Sequence, residues 1–391
     1  MFLNLILSEG PILNLEFQKC NNVIFHSIFQ DVEDWDKELQ GHALSAFFYG
    51  HLVTPIMAGY FSDRFGGKLG IFVGVGLMSL GSTLIPTFIR THSGFVLGIR
   101  IIQGLMSGIA IPSVYKMFSV WSSPEERASL MGFVLSAEAL ASVINTPLSG
   151  VLCNTNFDSG WPMIFYVPGL AGLILTIFLY FMIFNSPSDH PKISFEEKEY
   201  LSQYQTIKAG GAATPWIPML KSVPFHALWI THLAFNWCLY LTSINLPLLI
   251  GDVFNSDITK IGLYSSIPYI GMLILGPIAG KLYDFLLNRN VSTKTNLRKS
   301  FNSLGFFVPA VCTFGLHILC EKDVNGAIAL ITVTMSFLQF AHMGGFFLSH
   351  NDLVGQHAGL VFGITNTLAQ IPGFVTSLLV AYLTPNVSVS Y

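Results

Sequence analysis

The chain has 391 residues, of which 52% are hydrophobic and only 10% are charged, whereas a typical soluble domain has about 25% charged residues. This number of charges is too small to cover the surface of a soluble protein. The composition therefore predicts a protein that crosses a membrane several times. The formal net charge of −3 excludes a basic nucleic-acid-binding protein. The five cysteines form no CxxC pair, so we expect neither a zinc site nor a disulfide framework.

Ten apolar stretches follow one another along the chain, each long enough for a helix that crosses the hydrocarbon core. The predicted spans are residues 42–61, 69–89, 94–118, 128–153, 160–184, 224–250, 261–283, 299–319, 327–349 and 358–383. Barrel strands are excluded because the stretches are too long and do not alternate. The predicted fold class is therefore an all-α polytopic membrane protein with about ten transmembrane helices.

The loop charges predict the orientation of these spans. Most of the 19 Lys and Arg residues fall in loops on one side, which the positive-inside rule places in the cytosol. The longest polar stretch, 185–223, separates five spans from five and is interpreted as a cytosolic linker, although an ordinary long loop fits its charge equally well. Residues 1–41 then form an extracytosolic segment, 42–184 and 224–383 form two half-bundles, and 384–391 form a tail.

A short sequence element recurs after the first and after the seventh predicted span. Each copy has a glycine, an aspartate four residues later and a basic residue beyond it. The first copy contains Gly59, Asp63, Arg64 and Lys68, and the second contains Gly280, Asp284 and Arg289. Duplicated halves are typical of secondary transporters, so the repeat predicts two related halves whose loops latch one end of the bundle. The alternative is a charged loop that only sets topology.

The repeated element resembles the signature loop of the major facilitator superfamily, which has twelve helices in two halves. Further segments resemble the anion transporter family of sialin, the vesicular glutamate transporters and the type I sodium/phosphate cotransporters. The matching segments are Trp35–Gly41, Ala46–Gly50, Arg100–Gly104, Thr146–Gly150, Asn236–Tyr240, Ser265–Tyr269, His350–Asp352 and Gly363–Asn366. The resemblance implies a major facilitator fold of two pseudo-symmetric halves. It also implies that the ten spans are family helices 2 to 11, and that helices 1 and 12 are absent from this chain.

Arg100 is the clearest cation inside a predicted span, where a charge costs about 2.5–3.5 kcal/mol on insertion scales. The family has its substrate arginine at this position, so the resemblance implies that Arg100 binds a carboxylate or phosphate of the substrate. A snorkelling side chain or a structural ion pair is the alternative. Gln103 and Ser107 lie on the same helix face and are predicted to border the substrate. Family members often carry a carboxylate where this chain has Ser107.

Other predicted substrate contacts come from two further helices. Phe47 and Tyr49 are expected to line the cavity from the first predicted span, although packing is an equally good explanation for Phe47. Asn236 and Tyr240 are four residues apart in the sixth predicted span and therefore share a helix face.

Glu138 lies in the middle of the fourth predicted span, where the family usually has a small residue. A buried carboxylate can carry a proton, so Glu138 is a candidate proton site that replaces the carboxylate missing at Ser107, or a partner of Arg100. A structural polar contact is the alternative. His350, Asp352 and Asn366 match family positions and receive no individual role.

The resemblance implies a secondary-active transporter of organic or inorganic anions, such as sialic acid, phosphate or related carboxylates, that is coupled to H⁺ or Na⁺. We expect a monomer in the plasma membrane or in a vesicular or lysosomal membrane, with no nucleic-acid partner. The eleven histidines have no metal-site spacing, and we expect no cofactor, metal or enzymatic activity. The alternative function is a truncated, non-transporting isoform, or an incomplete gene model, that acts only as an interaction protein.

Overall fold

A computed structural model of the protein describes residues 37–122, 124–157, 160–205, 216–250, 258–319, 323–354 and 358–383. Within these ranges the regular structure is helical and contains no strand, which confirms the predicted all-α class. The first helices are α1 (Lys37–Phe65), α2 (Gly67–Phe88), α3 (Ser93–Trp121), α4 (Pro124–Cys153), α5 (Met163–Met182) and α6 (Phe195–Gln205). The later helices are α7 (Trp216–Leu220), α8 (Val223–Leu248), α9 (Ile258–Asn288), α10 (Lys294–Leu319), α11 (Val324–Gln339), α12 (Phe346–Val354), α13 (Ala358–Ala369) and α14 (Ile371–Leu383).

Each of the ten expected spans coincides with a helix or with a run of consecutive helices. Among the described residues, six helical stretches are long and apolar enough to cross a membrane. They are α2, most of α3, α5, α9, α10 and the run formed by α11 and α12. The other expected spans fall on α1, α4 and α8, which carry more polar residues, and on α13 and α14, which a turn at Gln370 separates.

Helices α1 and α3 approach each other almost backbone to backbone. A Cβ atom at Gly104 would lie 1.9 Å from the carbonyl oxygen of Phe47, and a Cβ atom at Gly50 would lie 2.0 Å from that of Ile101. Small residues at a helix crossing permit this kind of contact in membranes. The crossing therefore fixes the stretch of α3 that carries Arg100.

The helices form two groups that meet along two seams. In the first group α3 packs on α1 and α2, and α2 packs on α5; in the second group α11 packs on α9 and α10, while α8 packs on α13 and α14. The first seam brings α4 against α9, and the second brings α1 against α13 and α14. Relative movement of the two groups would therefore have to open or close these seams.

Cys153 marks one end of the bundle. Here α4 ends, and Cys153 is buried in an apolar cluster with Ala43, Ile89 and Trp161. We call this the Cys153 end, and we call the opposite end, where residues 185–205 and 216–222 lie, the linker end. Cys153 is disulfide-bonded, with its partner outside the described residues; this single bond is not a disulfide framework, and the sequence pattern does not indicate it. The lack of a CxxC pair says nothing about a bond between cysteines that are distant in sequence.

Helices α11 and α12 are joined by a π-helical turn at Phe340–Gly345. Such a turn loosens the regular backbone ladder and is frequent at functional sites. Two side chains of α10 bind the backbone around it: Arg298 donates to the carbonyl oxygen of Gly344 at 3.0 Å, and the Asn302 amide oxygen accepts from the Phe346 N–H at 3.0 Å. The sequence therefore holds the widened turn open with polar groups from a neighbouring helix.

Candidate functional site

A cavity of about 680 Å³, which includes open space at its mouth, lies at mid-depth between α4 and the second group of helices. Serines and apolar side chains line it, together with the larger polar groups Glu138, Tyr240, Tyr269, Gln339 and His342. The cavity therefore presents the polar groups that a small polar solute needs.

Glu138 is the single carboxylate on the described wall of this cavity. The residue lies deep inside the protein yet has an exposed side chain, because its accessible surface faces the cavity. Its charge interacts with the hydroxyl groups of Tyr240 and Tyr269, and Tyr269 is also hydrogen-bonded to Ser243. A proton or a cationic group that entered the cavity would meet this carboxylate. Its predicted role as a proton site stays a prediction.

The two predicted residues of α8 have different surroundings. The Tyr240 side chain lines the cavity, and its hydroxyl donates to Oε1 of Gln370 at 2.8 Å. The Asn236 amide instead donates to the carbonyl oxygen of Ala369 at 2.9 Å, where α13 ends. The Gln370 amide also donates to Oδ1 of Asn366 at 3.3 Å. Tyr240 thus connects the cavity to a polar network at the break between α13 and α14, while Asn236 holds that break.

Arg100, Gln103 and Ser107 are all buried in α3, but none of them belongs to the described cavity wall. The Gln103 amide donates to the carbonyl oxygen of Met78 and to Oγ of Ser82, both at 3.0 Å. Both acceptors belong to α2, so Gln103 faces a neighbour within its own group. The predicted contact of Gln103 with substrate stays a prediction, because sequence alone does not reveal which neighbour its helix face meets.

Aromatic rings close the second seam near the Cys153 end. The Phe48 ring lies 5.2 Å from the Tyr240 ring, and the Tyr49 ring lies 5.6 Å from that of Phe374. Phe47 packs edge-on against Phe48 at 5.6 Å. The ring contact of Tyr49 therefore crosses the closed seam, whereas those of Phe47 are with Phe48 and His51 of its own helix. Neither residue belongs to the described cavity wall.

The first seam is closed at the same end. Asn154 donates to the hydroxyl of Thr259 at 2.7 Å, and a Cβ atom at Gly262 would lie 2.6 Å from the carbonyl oxygen of Thr146. The hydrogen bond from Ser45 to the Phe374 carbonyl oxygen and the ring contacts of Phe48 and Tyr49 also join the two groups in the half of the bundle nearer the Cys153 end.

The first copy of the repeated element is anchored within its own group. The Lys68 ammonium lies 4.4 Å from the centre of the Tyr180 ring and 5.2 Å from that of Phe184, and the Lys68 N–H donates to Oδ1 of Asn185 at 3.0 Å. Gly66, with a φ of 82°, lies directly beneath the Asn185 side chain. The predicted latch residues Gly59, Asp63 and Arg64 are not among the residues whose side chains are described, so their latch role stays a prediction.

The second copy is more open. Asp284 is exposed, and the Arg289 guanidinium lies 5.4 Å from the ring of Phe285 on the same helix. The nearest atom to a Cβ at Gly280 would be 4.0 Å away, in Met343. Gly280 is therefore not needed for a close helix contact in this conformation, and the proposed latch stays a prediction.

A buried hydroxyl joins two histidines that sequence spacing did not bring together. Oγ1 of Thr365 in α13 lies 3.1 Å from Nδ1 of His232 in α8 and 2.8 Å from Nε2 of His350 in α12. Only His350 was marked in the sequence, together with Asp352, whose side chain lies outside the described ones. His232 and Thr365 are 133 positions apart, so no local motif reveals their contact.

Comparisons with known proteins agree with this architecture. The family model of the Major Facilitator Superfamily matches residues 10–377. Sheep sialin is 33% identical over 353 residues, covering 90% of this chain and 70% of sialin. Zebrafish vesicular glutamate transporter 2.2 is 32% identical over 359 residues, covering 90% of this chain and 60% of that protein.

Two solved structures share the fold. The partially occluded, inward-open xylose transporter XylE from E. coli matches with a TM-score of 0.67 at 14% identity, covering 98% of this chain and 90% of XylE. An inward-facing bacterial homologue of the human lysosomal transporter Spinster matches with a TM-score of 0.70 at 12% identity, covering 97% and 81% of the two chains.

Taken together, these matches identify a multi-pass membrane protein from a family of transporters and not an enzyme. The sequence resemblance is confirmed by the family match and by the sialin match. The chain belongs to the Major Facilitator Superfamily, in the group of anion transporters that includes sialin and the vesicular glutamate transporters.

Proposed function

We propose that this protein is a secondary-active transporter of small organic or inorganic anions that works as a monomer by alternating access. The observation that carries this proposal is the asymmetry of the seams. They are closed at the Cys153 end, while a cavity with an open mouth and polar groups on its wall lies behind them at mid-depth. If the linker end faces the cytosol, as the loop charges predict, this conformation is the inward-facing state of the cycle.

Arg100 is the proposed ligand for the anionic group of the substrate. Its side chain is only 5% exposed in a helix apolar enough to span the membrane, and such charges usually mark substrate or ion pathways. A guanidinium binds a carboxylate or phosphate through paired, charge-assisted hydrogen bonds. Arg100 lies outside the described cavity wall, so the proposal requires the site to extend toward α3 when the seams rearrange.

Protons are the proposed coupling ion, and Glu138 is the proposed carrier. The carboxylate has accessible surface on the cavity wall, and two tyrosine hydroxyls lie near enough to interact with its charge. The Ser107 hydroxyl does not ionise at ordinary pH and so cannot store a coupling proton, which makes Glu138 the better candidate for this function. Sodium remains the competing coupling ion.

The experiment that tests the function measures uptake into proteoliposomes that contain the purified chain. The probes are labelled N-acetylneuraminate, L-glutamate and inorganic phosphate, each under an inward proton gradient, an inward sodium gradient or no gradient. We expect at least one probe to enter faster than into protein-free liposomes, with the largest rate under the proton gradient. No uptake of any probe under any gradient would contradict the proposal and favour the non-transporting interaction protein.

A further inference from the structure

We propose that His232, Thr365 and His350 form a buried proton relay that connects α8 to α12 through a hydroxyl group of α13. The inference deepens the proposed function, because a proton-coupled transporter needs a path for the proton as well as a site such as Glu138. It rests on the hydrogen-bond geometry of three side chains that the proposed transport mechanism does not use.

The direction of each hydrogen bond follows from the acceptors. Nδ1 of His350 lies 2.8 Å from the carbonyl oxygen of Phe347, which can only accept, so Nδ1 carries a hydrogen. In a neutral ring Nε2 of His350 then has a lone pair, and it accepts from the Thr365 hydroxyl at 2.8 Å. Because the Thr365 hydroxyl donates its hydrogen to His350, its oxygen accepts from Nδ1–H of His232 at 3.1 Å. In the neutral cluster the hydrogen bonds therefore run in one direction, from His232 through Thr365 to His350.

The same hydroxyl has a second acceptor that suits the protonated cluster. Oγ1 of Thr365 lies 3.2 Å from the carbonyl oxygen of Phe362 in its own helix. If the hydroxyl donates there, Nε2 of His350 must donate to the Thr365 oxygen, and His350 is then an imidazolium. The loaded arrangement thus differs from the empty one by one added proton on His350 and by the rotation of one hydroxyl group, and no helix has to move.

The proton transfer balances atom by atom. A proton binds to Nε2 of His232 and makes that ring an imidazolium. Its Nδ1–H bond breaks as a new O–H bond forms at Thr365, and the original Thr365 O–H bond breaks as an N–H bond forms at Nε2 of His350. One positive charge has then moved from α8 to α12, and no oxidant or other reactant is required.

The apolar surroundings limit the number of extra protons that this cluster can hold. His232, His350 and Thr365 are 4%, 3% and 0% exposed, and the rings of Phe346 and Phe362 lie 5.1 and 5.8 Å from that of His232. Two imidazolium ions in such an apolar site would repel each other and lack compensation, so we expect one extra proton at a time.

His342 gives this cluster a connection to the cavity. Its ring, in the π-helical turn, lies 6.1 Å from that of Phe346 and 4.6 Å from that of Phe347, and both of these rings also contact the His350 ring. His342 also lines the cavity that contains Glu138. The described residues contain no group of three His, Cys, Asp or Glu side chains arranged to hold a metal, so a proton is the cation that fits here.

The relay can be tested without any transport measurement. We would label histidine with ¹⁵N in the full chain, reconstituted in nanodiscs, and assign the two rings with His232→Gln and His350→Gln. Both neutral rings are expected to carry their hydrogen on Nδ1. Thr365→Val should shift both sets of signals, whereas Thr365→Ser, which keeps the hydroxyl, should preserve them. Either ring in the Nε2–H form in the unmodified protein would overturn the relay, whatever the protein transports.

Transport then tests whether the relay serves coupling. Thr365→Val is expected to lower proton-driven uptake by roughly 100-fold, the lower end of what a positioned proton-transfer group contributes, while exchange of labelled for unlabelled anion continues. Thr365→Ser should retain both activities. An equal loss of exchange in Thr365→Val would assign the hydroxyl a structural role and overturn its coupling role. If no anion is transported at all, the proposed function fails and the NMR result still decides the relay.

Discussion

Gly262 of α9 faces the backbone of α4 so closely that a Cβ atom would lie 2.6 Å from the carbonyl oxygen of Thr146. Real Cβ contacts are longer, so a side chain at position 262 forces the two helices apart. This contact lies at the closed end of the first seam, beside the hydrogen bond between Asn154 and Thr259. A glycine at this position is therefore part of what allows the Cys153 end to close.

The first prediction concerns this closure. Gly262→Val should hold the Cys153 end open, because its side chain cannot fit against α4. Cysteines substituted for Ser45 and Phe374, which contact each other across the second seam, should cross-link readily in the parent chain and more slowly with valine at 262. Gly276→Ala is the control on the same helix, since a Cβ there makes only ordinary contacts, the nearest at 3.5 Å. Equal cross-linking rates for the parent chain and for Gly262→Val would show that this contact does not control closure of the Cys153 end.

The second prediction concerns the crossing of α1 and α3. Gly104→Ala should destabilise the protein by about 1–3 kcal/mol, the usual cost of overpacking, because the new Cβ would lie 1.9 Å from a carbonyl oxygen. Gly98→Ala, on the same helix, has open space around its Cβ and should be tolerated. Thermal unfolding in detergent, followed by tryptophan fluorescence, measures the difference. Equal Tm values for the two variants would exclude a tight crossing.

The third prediction separates a structural from a substrate-binding role for Gln103. Gln103→Leu removes two buried hydrogen bonds to α2, each worth about 0.5–1.5 kcal/mol, so Tm should fall. The KM for the transported anion should stay within error, because the amide faces α2 rather than the cavity. A large rise in KM with an unchanged Tm would instead make Gln103 a substrate ligand.

The fourth prediction addresses proton coupling at Glu138. Glu138→Gln keeps the shape of the side chain and removes its exchangeable proton, so anion uptake should lose its dependence on external pH and on the proton gradient. Glu199→Gln changes an exposed carboxylate of α6 and should leave the pH profile intact. Initial uptake rates at a series of external pH values provide the comparison. A pH profile of Glu138→Gln that matches that of the parent chain would remove Glu138 from the coupling mechanism.

The helices could be predicted from sequence because burial in a membrane requires long apolar stretches, and those are local. Glu138 was recognisable for the same reason, since a carboxylate in an apolar stretch is conspicuous. The hydrogen-bond partners of Gln103 were not recognisable, because the sequence does not show which neighbouring helix a given helix face contacts. The contact of His232 with Thr365 was missed because it depends on how α8 and α13 pack. The disulfide at Cys153 depends on a partner distant in sequence.

The most direct test of the central claim compares Arg100→Ala with the parent chain in anion uptake. Arg90→Ala removes the same charge from an exposed position beside the Trp161 ring and controls for the loss of a cation. Under an inward proton gradient, we expect Arg100→Ala proteoliposomes to take up the anion no faster than protein-free liposomes, while Arg90→Ala retains most of the activity. Equal uptake by Arg100→Ala and the parent chain would contradict a transport mechanism centred on Arg100.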